Sequence, residues 1–154
     1  MLAAGKCNEI RQQVSHVLEE AGCSAGSRPL SVREVVEALG IGLVPYSTLT
    51  EQEVQQLSQA FGGALPPGLL LHEPEGPTLI WYDDSLDSQQ QDRAMAHELG
   101  HWKRQHCQAS ALAEEEAEFF SETLVKSIGR LTAEHIRRAG MKSMYDIHLD
   151  REVV

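Results

Sequence analysis

Apolar residues recur along this chain at spacings that change from segment to segment, and the spacings predict its elements. From Glu9 to Ala21 a helical period places Ile10, Val14, Val17 and Leu18 on one face. Residues 22–29 read as loop. Ser31 can cap a short helix running to Leu39, with Glu34 in the capping-box position and Gly40 as its stop. Ile41 to Tyr46 has the character of a strand. Thr50, with Glu53 three residues on, starts a helix that runs to about Ala60. After a Gly- and Pro-containing loop over 62–68, two apolar runs follow, Leu69 to Glu73 and Thr78 to Asp83. Pro74-Glu75-Gly76-Pro77 lies between them and predicts a hairpin.

The second half is helical in pattern. Ser88, with Gln91 in the box position, opens a helix expected to reach about His106. Another spans roughly Leu112 to Ile128, before Gly129. Thr132 caps a further short helix that ends at Ala139 and Gly140. The tail, 141–154, has no clear pattern. Helices and a small sheet followed by a helical half predict an α+β fold: a short antiparallel or mixed sheet packed on helices. The 154 residues suit one domain over 1–154, with its core at about 31–128 and a short helical extension at 129–154.

The predicted helix from Ser88 carries His97-Glu98-Leu99-Gly100-His101, an H-E-x-x-H pattern. Residues four apart on a helix share a face, so His97 and His101 can grip one Zn²⁺, with Glu98 beside them as a general base. Met95, Leu99, Trp102 and His106 fall on another side, which places His106 in the core or at its margin. Cys107 could ligate only if the helix broke before it.

A catalytic zinc takes three protein ligands and leaves a position for water. The next helix offers Glu114, Glu115, Glu116 and Glu118. Its apolar stripe is Ala113, Ala117, Phe120, Leu124 and Ile128. Glu114 projects about 60° from Ala117, inside that arc, where a carboxylate needs a partner. Glu115 projects toward solvent, and Glu116 lies on the other flank, just outside the stripe. Glu118, one turn beyond Glu114, could brace a ligand histidine. Glu114 is therefore the candidate third metal ligand.

These residues resemble the ImmA/IrrE family of metallopeptidases over roughly 31–125. Ala96 to His101 matches the family's A-H-E-L-G-H. Glu114-Glu115-Glu116-Ala117-Glu118-Phe119-Phe120 is similar to its E-x-x-A-[N/D]-x-F-A segment. The strand-like Leu79 to Tyr82 and the helix-then-strand pattern of Val32 to Val44 look like the family's entry to the motif. The resemblance implies a zincin-like fold and a zinc site of His97, His101 and Glu114. It also implies a bacterial or prophage setting and a helix-turn-helix repressor as substrate. Glu118 stands where the family prefers Asn or Asp, Ser121 replaces a common Ala, and Leu124-Val125-Lys126-Ser127 replaces an L-L-M-P ending. No extended C-terminal domain is expected.

The net charge of −10 opposes direct nucleic-acid binding, although Arg137 and Arg138 could form a local basic patch. Three cysteines (Cys7, Cys23, Cys107), no long apolar segment and no apolar leader point to a cytoplasmic protein without a membrane span. The expected function is zinc-dependent cleavage of a regulatory protein. The alternatives are a zinc-holding antirepressor or interaction module that does not cut, or a toxin–antitoxin component. In the proteolytic reading the strand Thr78 to Asp83 could offer an edge to the substrate peptide, and Tyr82 could donate to the developing oxyanion. Binding needs neutral imidazoles, so the site is expected to weaken as pH falls through the histidine range.

Overall fold

The computed structural model describes residues 1–23 and 31–153, with side chains up to residue 140. The order is α1 (Ala4–Glu20), α2 (Val32–Ala38), β1 (Gly42–Pro45), a 3-10 turn (Tyr46–Thr48), α3 (Glu51–Ala60), β2 (Gly68–His72), β3 (Thr78–Tyr82), α4 (Ser88–Lys103) and α5 (Ala111–Val153). This is an α+β fold with a small mixed sheet. Most of the expected loop at 22–29 lies outside the described residues.

Capping chemistry set several boundaries. The Ser31 side chain accepts from the Glu34 amide, and Thr50 and Glu53 form a reciprocal capping box. For α4 the cap is Asp87 rather than Ser88. Its carboxylate accepts from the Gln90 amide, while the Gln91 amide group donates to the Asp84 and Leu86 carbonyls instead of closing a box. Ser110 caps α5 by accepting from the Ala113 amide. That helix runs on through Gly129, Thr132 and Gly140, where separate short helices were expected. A glycine inside a helix costs only about 0.5–1 kcal/mol and does not by itself stop one.

The strand order is β1-β3-β2. β1 pairs with β3 in parallel, and β2 and β3 form the expected hairpin, with Gly68 opposite Tyr82 and His72 opposite Thr78. β3 is therefore central, hydrogen-bonded on both sides, and the expectation that it offers a free edge is overturned. The exposed edge beside the helical layer belongs to β2. A single cluster of buried side chains joins the layers: Ile10, Val14 and Val17 of α1, Val32, Val35 and Val36 of α2, Ile80 of β3, Met95 and Leu99 of α4, and Phe120 and Leu124 of α5. The predicted stripe on α5, from Ala113 to Ile128, is buried throughout. Among the described residues no helix is long and apolar enough to cross a membrane.

Candidate metal centre

The site forms where α4 crosses α5, and Gly100 sets how closely they approach. A Cβ on Gly100 would stand 3.0 Å from Phe120 Cβ and 3.2 Å from the backbone of Ala117. Glycine admits this contact without displacement, whereas a methyl there would push the helices apart by a few tenths of an ångström; the contact brings the first turns of α5 against the face bearing His97 and His101. That face also borders a cleft of about 870 Å³, lined as well by Phe61, Pro66, Gly68, Leu69 and Leu86.

Three side chains converge there. His97 Nε2 lies 2.9 Å and His101 Nε2 3.2 Å from the two Glu114 oxygens. The two Nε2 atoms are 3.2 Å apart. Ligand atoms about 2.0–2.1 Å from a tetrahedral zinc stand about 3.3 Å from one another, so the two Nε2 atoms and the carboxylate are close enough together to share one ion. Ligand atoms of His97, Glu98 and His101 also lie within 4.8 Å of one another, a group that could hold a metal ion.

Proton placement sharpens this fit. His97 Nδ1 is 3.1 Å from a Glu118 oxygen, and an ionised carboxylate only accepts, so this nitrogen carries the ring proton. Glu118 is in turn held 3.2 Å from Arg93 Nη2. With Nδ1 donating to Glu118, Nε2 faces the Glu114 carboxylate, an acceptor, so this pair is satisfied by a second ring proton or by a cation held between them.

Glu98 occupies a different niche. Its Cγ lies 3.1 Å from where a Cβ on Gly68 would sit, so a glycine in β2 makes the room it needs. Burial pushes the Glu98 carboxyl up to about 7; nearby His97 opposes the shift and Glu114 adds to it. Burial, followed by the neighbouring His97, holds His101 below its ordinary value, so this imidazole is neutral at neutral pH.

Several expectations need correction. Glu114 does not face the core: its side chain is 56% exposed, on the cleft. The buried carboxylate is Glu116, 5% exposed, bonded to His106 and Arg104. Burial acts to raise the pKa of Glu116, but those two partners hold it below the usual carboxylate range. Glu115 does face solvent, paired with the N-terminal amine. Helix α4 stops at Lys103, so the projection that put His106 opposite His97 fails. Instead His106 Nδ1 comes 2.9 Å from His101 Nδ1. The helix does end before Cys107, yet its thiol bonds the Gln105 carbonyl and is not among the metal-competent group. Tyr82 is buried, with Arg33 donating to its hydroxyl at 3.2 Å, and it does not line the cleft, so it is no oxyanion donor. Of the cysteines, Cys7 is half-buried, Cys23 buried and Cys107 exposed.

Neither protein-family models, curated protein sequences nor solved structures give a match to this chain.

Proposed function

We propose that this chain is a zinc-dependent endopeptidase of the ImmA/IrrE type, acting in the cytoplasm on a regulatory protein such as a helix-turn-helix repressor. The observation that carries the reading is the convergence of His97 Nε2, His101 Nε2 and the Glu114 carboxylate, all within 3.2 Å, at the floor of an open cleft. These three would be the ligands and Glu98 the proton carrier. Bound zinc would supply Lewis-acid polarisation of the scissile carbonyl and acidification of the attacking water.

The remaining work belongs to the chain. Glu98, adjacent to the ligand pair and held in a niche that favours its protonated form, takes a proton from the attacking water onto its carboxylate and delivers it to the leaving amine. Gly68, Leu69 and Leu70 of β2 line the cleft, so a substrate peptide can add to that strand by backbone hydrogen bonds. Phe61, Pro66 and Leu86 give its side chains an apolar wall. The acidity of the whole chain favours encounter with a basic partner.

Co-expression of wild type or Glu98→Gln with a helix-turn-helix repressor, such as one found encoded in a neighbouring gene, tests this reading. Wild type should cut the repressor and the variant should leave it intact while holding the same amount of zinc. Equal cleavage by both removes Glu98 from the mechanism. An intact repressor in both cases favours a binding role.

A further inference from the structure

The end of α4 is built as a Schellman motif. The Gln105 amide donates to the Trp102 carbonyl at 3.1 Å and the His106 amide to the His101 carbonyl at 3.0 Å. Gln105 adopts the left-handed conformation, with φ of 57°, that the motif requires. Such a turn brings the residue after the left-handed position against the residue five before it, usually through an apolar contact. Here those residues are His106 and His101, and the contact is a hydrogen bond between ring nitrogens, 2.9 Å long.

The proton arrangement follows from the far end of the chain of bonds. His106 Nε2 stands 2.9 Å from Glu116 Oε1. That carboxylate is 5% exposed and also accepts from Arg104 Nε at 2.9 Å. Arg104 is itself fixed by Glu9 and Gln13 of α1. A His106 ring that donates to this carboxylate from Nε2 offers its Nδ1 as an acceptor, and His101 then donates from Nδ1. That leaves the lone pair of His101 on Nε2, the atom turned toward His97 and Glu114.

We infer that His106 is a positioning residue for the metal site, which fixes the His101 ring orientation and tautomer through a relay running from Glu116 to His106 to His101. The inference rests on the proposed metal centre. Both ring nitrogens of His106 are engaged, so it is not itself a ligand. The relay also explains the buried Glu116, whose role the sequence left open: it imposes direction on the bonds. Glu118 serves His97 in the same way from α5, so each imidazole has its own acceptor. Two supports of different chemistry thereby aim the two rings at one point.

The test measures zinc affinity at neutral pH by competition with a chromophoric chelator, for wild type, His106→Leu and His106→Gln. Leucine offers no acceptor, so affinity should fall about 10- to 100-fold, whereas glutamine keeps an acceptor and should recover part of the loss. Nitrogen-15 NMR of the zinc-loaded wild type reads the tautomers without any substitution. His101 should show a protonated Nδ1 and a metal-bound Nε2, and His106 a protonated Nε2 with a bare Nδ1. Unchanged affinity in His106→Leu overturns the inference and leaves the metal centre standing. So does an NMR pattern with His101 bound through Nδ1, or with His106 protonated at Nδ1. If His106→Leu fails to fold, the wild-type NMR pattern decides. A wild type that takes up no zinc overturns both this inference and the proposed function.

Discussion

Glu98 is a carboxylate whose surroundings let it keep a proton near neutrality, and the same surroundings make it a burden on the empty fold. In the unfolded chain it ionises near its ordinary value of 4.5, and in the folded chain at about 7. Between those values the folded state holds the extra proton, so stability falls as pH rises through the window, and the full cost is present above it. Metal-free Glu98→Gln should therefore be more stable than metal-free wild type at about pH 8, by at most about 3 kcal/mol, and equal to it near pH 4. Urea unfolding followed by circular dichroism at the two pH values checks this; equal stability at the higher pH contradicts the burial argument. This effect was not legible in the sequence. The motif identified Glu98 as a base, but the niche is made by Gly68, a strand residue thirty positions away whose only signal was its place beside two prolines.

At the scale of elements, the site is the product of one close helix crossing and one helix end. Gly100→Ala would place a methyl against the Ala117 backbone, which cannot turn aside as a side-chain tip can. α5 must then move away, at a cost of about 1–3 kcal/mol, and Glu114 and Glu118 move with it. Both thermal stability and zinc affinity should fall; a variant that loses neither would show that the crossing is not set at Gly100. The end of α4 carries a separate liability, since Gln105 holds a positive φ without being glycine. Gln105→Gly should raise stability by up to about 1 kcal/mol with zinc binding retained, measured by the shift of the urea midpoint.

That same residue explains what sequence reading missed. The face of α4 and the stripe of α5 were legible because periodicity reports which side packs, and each predicted stripe residue from Ala113 to Ile128 is buried. The stop at Lys103 was hidden because no glycine marks it, and so His106 was projected to the wrong side. Glu114 was chosen as core-facing, whereas it meets the histidines from the exposed side of the cleft. The angle of a residue around its own helix does not say how far the neighbouring helix extends over it. Gly129 and Gly140 misled in the opposite sense, since the backbone of α5 passes through both.

At the scale of the molecule, strand order decides where a substrate can lie. The hairpin and both its strands were legible from the turn residues. Their order was not, because β1 inserts no signal in the sequence to say that it pairs with β3 rather than β2. With β3 enclosed, the edges of the sheet are β1 and β2, and β2 is the one whose residues line the cleft with the histidines. The position of the cleft, the crossing of α4 over α5 and the two imidazole supports all matter only if a metal ion sits among His97, His101 and Glu114. X-ray absorption at the zinc edge on the purified, zinc-loaded chain measures that directly. One zinc per chain should be found, surrounded by nitrogen and oxygen at about 2.0–2.1 Å with imidazole scattering from two rings, and Glu114→Ala should lose one oxygen ligand. A sulfur shell at about 2.3 Å, or a chain that takes up no zinc at neutral pH, would contradict it.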